Sequence, residues 1–215
     1  MKIGNIAPEW KDMSKYVVHF STESADGCSA YDNAISILYE RNIEARHAFG
    51  AGRLLPPALK SVCFSEIPLH LLRRLADKRG PHGIGFRKDF LVERGGGPIL
   101  YAYKDTEHAK AIDTMVSGAI HDPSNPVWKL APFIDLPGIY NSSKYFFEWE
   151  REWRVVEDFS FEPSDVAFLI IPEDLHDVAR NFFDGAERDN IGPNYKCKFV
   201  DPYWEDDQIQ NVLKD

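Results

Sequence analysis

Trp149-Glu150-Arg151-Glu152-Trp153-Arg154-Val155-Val156 alternates well enough to predict a strand. Val166-Ala167-Phe168-Leu169-Ile170-Ile171 follows as the continuous apolar run of a buried strand, and no long helical crossover separates the two. Upstream, Tyr16-Val17-Val18-His19-Phe20 and Ser61-Val62-Cys63-Phe64-Ser65 are short, β-branched and aromatic, and also predict strands. Gly83-Ile84-Gly85-Phe86 and Pro98-Ile99-Leu100-Tyr101-Ala102-Tyr103 are strand-like, with Arg94-Gly95-Gly96-Gly97 between them as the turn of a hairpin or a bulged crossover. Residues 196–200 predict a last strand.

Helices are fewer. Ala34, Ile35, Leu38 and Tyr39 fall at helical spacing after Asp32 or Asn33, either of which can cap, and the helix should run to about Arg41 with Asn42 closing it. Pro68 opens a second helix carrying Leu69, Leu71, Leu72 and Leu75; residues 107–119 predict a third, and Pro172-Glu173-Asp174 starts a fourth that reaches about Phe183. Residues 45–57 read as a loop, and residues 121–140, with prolines at 123, 126, 132 and 137, as a loop or a lid over a site. Strands outnumber helices without regular βαβ alternation. The expected fold is therefore α+β: a single domain over residues 1–215 with a mixed, mostly antiparallel sheet and flanking helices.

The chain has 215 residues, enough to bury a sizeable core, and its 44% hydrophobic, 13% aromatic and 27% charged composition is that of a globular protein. Mean hydropathy is −0.37, and no apolar run approaches the ~20 residues of a bilayer span. No apolar h-region precedes Trp10, so the start does not read as a secretory signal and the cytoplasm is the expected compartment. Cys28, Cys63 and Cys197 are odd in number and widely spaced, which argues against a disulfide framework or a zinc site. With 25 basic against 34 acidic residues the formal charge is −9, which disfavours general nucleic-acid binding but suits a basic protein partner.

Candidate chemistry concentrates in Glu148-Trp149-Glu150-Arg151-Glu152-Trp153-Arg154. On a strand, the two-residue period would place Glu148, Glu150, Glu152 and Arg154 on one face, where one carboxylate can accept a hydroxyl proton while another orients a polar ligand. The plainer reading is a solvated face on which Arg154 pairs locally. His19, Ser21 and Thr22 place an imidazole and two hydroxyls at the end of the first strand, and Ser65 puts a hydroxyl at the end of the second. Ser65 lacks a Gly-x-Ser-x-Gly elbow, and Gly50-Ala51-Gly52 is only a fragment of a dinucleotide fingerprint, so hydrolase, Rossmann and P-loop readings are disfavoured. The five tryptophans at 10, 128, 149, 153 and 204 form no readable ligand box.

Taken together, Tyr16-Val-Val-His-Phe-Ser21, the helix at 35–43, Cys63-Phe-Ser-Glu66, Gly83-Ile-Gly-Phe86 and Glu150-Arg-Glu-Trp-Arg154 resemble the AbiGi-like abortive phage-resistance proteins, some labelled antitoxins, over about residues 16–156. That resemblance implies a phage-defence role and a cognate toxin or antitoxin partner. The same order is similar to the layout of ADP-ribosyltransferases, although Phe64-Ser65-Glu66 stands where that superfamily has a Ser-Thr-Ser type motif. This second resemblance implies NAD as substrate and a macromolecular acceptor. It gives Glu152 the role of binding the ribose 2′-hydroxyl and stabilising an oxocarbenium ion, and Glu150 that of activating the acceptor. His19, Ser21, Ser65 and Arg154 would be NAD-contacting residues, with His19 and Ser65 on ribose, and no metal is implied.

Overall fold

The structure, a computed structural model, describes residues 13–214 apart from 25, 56 and 67, so Trp10 lies outside the described residues. The chain divides into two compact units, each combining strands and helices. Of the described residues, the first comprises those up to Asn42, those of 66–90 and those from Ser160 onward; the second comprises those of 43–65 and 91–159.

In the first unit the strand order is Lys198–Val200, Val166–Ile170, Gly83–Arg87, Tyr16–Phe20. The Val166–Ile170 and Lys198–Val200 strands run parallel, and the other neighbours are antiparallel, with Ile84 opposite both His19 and Leu169. The predicted mixed, mostly antiparallel pairing is thus present. Gly85 sits here for a packing reason: a Cβ at this position would lie 2.5 Å from the Phe168 ring, so only a bare backbone lets that ring cover the strand. Tyr16 meets Phe168 edge-on at 5.3 Å, the geometry that aromatic quadrupoles favour. Helices Ala30–Glu40, Leu72–Arg79, His176–Arg188 and Asp206–Leu213 supply Leu38, Leu72, Leu75, Phe183 and Ile209 to the buried core.

Two helix ends differ from expectation. Ser29, rather than Asp32 or Asn33, is the N-cap: its hydroxyl accepts from the Asp32 N–H while the Asp32 carboxylate accepts from the Ser29 N–H, so Asp32 is the third residue of a capping box. The helix stops at Arg41, which adopts left-handed φ 54°, and not at Asn42. Pairing corrects a third expectation. Arg94-Gly95-Gly96-Gly97 does not turn a hairpin; it terminates a helix, Lys88–Glu93, with Gly95 at φ 78° and the Gly96 N–H donating to Leu91 O at 2.8 Å.

In the second unit Lys60–Ser65 pairs antiparallel with Glu152–Val156, whose other edge takes Gly97–Pro98. Leu100–Tyr101 lies parallel to Ile134–Asp135, and Gly138–Tyr140 forms a hairpin with Ser143–Tyr145 across Asn141 and Ser142, both at positive φ as a tight hairpin turn requires. Residues 121–140 are not an open lid. Trp128, Ala131 and Ile134 are core residues that pack with Ile112 and Val116 of the Glu107–Gly118 helix, and the Trp128 indole N–H donates to the Ala119 and Asp122 carbonyls. The prolines mark short turns between buried anchors instead of a free loop. Residues 45–57 likewise contain a strand, His47–Ala48, and a 3₁₀ turn, Gly50–Leu54.

Candidate functional site

The charged stretch folds differently before and after Arg151. Glu148–Glu150 forms a 3₁₀ turn, Arg151 takes left-handed φ 47°, and the strand begins only at Glu152. The predicted common face of Glu148, Glu150, Glu152 and Arg154 is therefore incorrect for its first two members, because a positive-φ residue breaks the two-residue alternation. Glu152 and Arg154 do share a face. Opposite them on the Lys60–Ser65 strand stand Ser65 and Cys63 respectively.

Arg154 is the centre of this face, and its side chain is fully buried, not solvated. Its Nε and one Nη donate to both Glu152 oxygens, at 2.7 and 3.2 Å; the same Nη donates to Asp135 Oδ2 at 2.8 Å, and the other Nη to Pro132 O at 2.7 Å. The guanidinium plane lies over the Phe49 ring with its carbon 4.9 Å from the centroid. Burial alone works against the charge. The Glu152 hydrogen bonds and charge, with Asp135, outweigh it and hold the guanidinium above its ordinary pKa.

Asp135 also accepts from the Tyr145 hydroxyl at 2.7 Å, and the Tyr101 hydroxyl accepts from the Glu152 backbone N–H at 3.0 Å. Burial pushes Tyr101 up to about 12, and burial together with the Asp135 bond raises Tyr145. Buried Ser65 donates to Oε2 of buried Glu150 at 3.4 Å. Cys63 is held protonated, first by burial and then by the Glu152 charge, which removes it as a thiolate nucleophile near neutral pH.

Gly50, one of the glycines read as a fingerprint fragment, proves to be part of the scaffold around Arg154. It has φ 53°, and a Cβ there would lie 1.6 Å from the Ile134 carbonyl oxygen, in the turn that brings Phe49 to Arg154. Gly52 packs against Pro132, at 3.2 Å from its virtual Cβ. Neither feature is that of a phosphate cradle.

Of the six candidates, Ser65, Glu150, Glu152 and Arg154 thus come together in the second unit. His19 and Ser21 belong to the first, where the Ser21 hydroxyl bonds Ala30 O at 2.7 Å and His82 O at 3.2 Å and so ties the strand end to the following helix. The sequence reading missed Asp135, Tyr101, Tyr145 and Phe49. Asp135 stands in the proline-rich stretch read as a lid, and the aromatic residues had no spacing that singled them out. Among the described residues no cluster of His, Cys, Asp and Glu suits a metal ion, and no helix is long and apolar enough to cross a membrane.

An α+β protein with a buried Arg–carboxylate network is the class that these features define. The model of one family, described as "Putative abortive phage resistance protein AbiGi, antitoxin", matches residues 40–201, about three quarters of the chain, and the chain belongs to that family. The match runs well past residue 156, where the sequence resemblance stopped. No curated protein and no solved structure matches the chain.

Proposed function

We propose that this chain is an antitoxin of a phage-defence system, a non-enzymatic protein that neutralises a cognate toxin by binding it through an acidic surface. Membership of the AbiGi family carries this reading. The net charge of −9 supplies long-range attraction for a basic partner, with the greatest effect on association rate. The charged cluster is consistent with a structural role, since Arg154 has protein partners for Nε and both Nη groups. The test is association with the protein encoded by the adjacent gene, measured at 50 and 300 mM salt: an association rate that falls several-fold supports the reading, and a salt-insensitive rate, or no binding, counts against it.

A second reading has one observation in its favour: Ser65, Glu150, Glu152 and Arg154 converge, with Ser65 directly opposite Glu152. In that reading the fold is ADP-ribosyltransferase-like and NAD is the substrate. Glu152 holds the ribose 2′-hydroxyl and stabilises the cationic carbon as nicotinamide leaves, and Glu150 activates a macromolecular acceptor. Calorimetric titration with NAD and NAD consumption by wild type against Glu152→Gln test it. Absence of binding, or equal turnover in a folded variant, removes it.

A further inference from the structure

Where Arg151 breaks the alternation of the charged stretch, half-buried Glu148 is turned off the strand face that carries Glu152 and Arg154. One of its oxygens, Oε1, accepts from the Tyr103 hydroxyl at 3.1 Å. The other, Oε2, is shielded from water and has no hydrogen-bond partner. That sets Glu148 apart from the buried acids among the described residues. Glu66 pairs with Lys88 and Asp135 with Arg154, Glu150 accepts from Ser65, and Asp201 accepts from the Glu173 and Tyr203 N–H groups. A carboxylate oxygen can only accept, and one kept from water without a donor costs free energy that an incoming donor recovers.

Glu148 belongs to a closed ring of contacts within the second unit. Phe147, beside it in the chain, meets Tyr145 edge-on at 5.0 Å, and Tyr145 meets Tyr140 at 6.5 Å. The Lys104 ammonium lies 4.6 Å from the centre of the Tyr140 ring, and Lys104 follows Tyr103, which closes the ring on Glu148. These rings stay open to solvent: Tyr103 is 48% exposed, Tyr140 39% and Phe147 38%. Lys104 shows what such rings take. Its stem crosses Gly138, where a Cβ would lie 2.5 Å away, and its ammonium donates to Ile139 O at 2.8 Å as it covers Tyr140. The chain thus supplies its own cation on the Tyr140 side. On the Glu148 side, among the described residues, no cation covers Phe147 or Tyr103.

We infer that Glu148, with the Phe147 and Tyr103 rings beside it, seats an arginine side chain of the cognate toxin. This assignment rests on the antitoxin reading and gives it a point of contact. Charge selects the occupant: a carboxylate short of a donor takes a cation, whereas an acidic side chain brought there would meet like charge. Shape favours arginine over lysine, because a planar guanidinium stacks on an aromatic face and still presents N–H groups to both oxygens of a carboxylate. The terminal torsion of a glutamate is broad, so Oε2 can turn toward a donor that arrives on the exposed Tyr103 side. A desolvated pair of this kind governs how long a complex lasts, whereas the net charge of the chain governs how fast it forms.

The experiment co-expresses the full chain with the product of the adjacent gene and measures melting temperature, association rate and dissociation rate for wild type, Glu148→Gln and Phe147→Leu. Both substitutions nearly keep side-chain volume, and Glu148→Gln still offers an oxygen to Tyr103, so each variant should melt within a few degrees of wild type. Glu148→Gln should dissociate about 10–100-fold faster with an association rate within about twofold, and Phe147→Leu about 3–10-fold faster. Single Arg→Ala changes in the toxin should then include one that weakens wild type roughly tenfold more than it weakens Glu148→Gln, the signature of a coupled pair. Wild-type dissociation rates in both variants, or no arginine coupled to Glu148, would overturn the seat and leave the antitoxin reading standing. Failure of the wild-type chain to bind would end both. A wild-type dimer that Glu148→Gln converts to monomer would assign the seat to a second copy of this chain and overturn the toxin assignment.

Discussion

Arg154→Met is the perturbation that most directly probes what the charged cluster does. Methionine roughly replaces the apolar stem but leaves the Glu152 carboxylate, Asp135 Oδ2 and the Pro132 carbonyl without the guanidinium that now donates four hydrogen bonds to them. Removing one partner of a buried pair commonly costs about 3–5 kcal/mol, because the remaining charges stay buried and uncompensated. For a chain of this size each kcal/mol moves the midpoint by about 2–4 °C, so a fall of roughly 6–20 °C is expected. Thermal and urea unfolding followed by circular dichroism read the loss. The triple variant Arg154→Met, Glu152→Gln, Asp135→Asn, which removes the orphaned charges as well, should recover part of it. A loss below about 1 kcal/mol for Arg154→Met would be the signature of an exposed pair and would refute the reasoning.

Thiol labelling separates the three cysteines: Cys28 is exposed, whereas burial raises Cys63 and pushes Cys197 up to about 12, so iodoacetamide at pH 8 should modify Cys28 alone in the native chain and all three in urea, as read by mass spectrometry. Tyr101 is raised by burial from 10.0 to about 12 in the folded chain; its contribution to stability is complete below pH 10 and is lost as pH rises through 12, so Tyr101→Phe should flatten the decline of urea midpoints across that window while costing about 0.5–1.5 kcal/mol at pH 7 for the lost Glu152 N–H bond. An unchanged alkaline slope would count against that burial. Gly50→Ala combines positive φ with a Cβ 1.6 Å from Ile134 O and should destabilise by more than about 2 kcal/mol in urea titration; a neutral effect would mean that the turn under Arg154 is not rigid.

The α+β class was legible because its signals are local. Val166–Ile170 is a continuous apolar run and Lys60–Ser65 carries Val62, Cys63 and Phe64 at its centre, the local mark of a buried strand, and the Glu107–Gly118 helix has its periodicity and a Thr106 cap. What was not legible depended on the sign of single φ angles. Arg151 carries no residue-type warning of a left-handed conformation, yet that one angle removes Glu148 and Glu150 from the face assigned to them. The glycines of 95–97 signal a turn, but whether a turn ends a helix or joins two strands is decided by whether Leu91 O receives a hydrogen bond, which composition does not encode. Asp135 was invisible for another reason. It meets Arg154 across 19 positions of sequence, and the prolines between anchors mimic the composition of a free loop.

The antitoxin reading depends on where the charge resides, since carboxylates neutralised in the interior cannot steer a partner. Among the described residues the buried charged groups are Glu66, Asp135, Glu150 and Asp201 against Lys88 and Arg154, four acids to two bases. Their net of −2 is a minor part of the −9 carried by the whole chain, and Lys88 pairs with Glu66 as Arg154 does with Asp135. Most of the excess is therefore left to groups that are not buried, where it is screened over about 8 Å at physiological salt. The two charge populations separate by experiment: removing Arg154 should change the melting temperature with little effect on the salt dependence of association, whereas neutralising Asp174 and Asp177 should do the reverse. A chain in which the Arg154 substitution and the Asp174/Asp177 pair moved the same observable would contradict the division between an internal network that holds the fold and an external field that finds the partner.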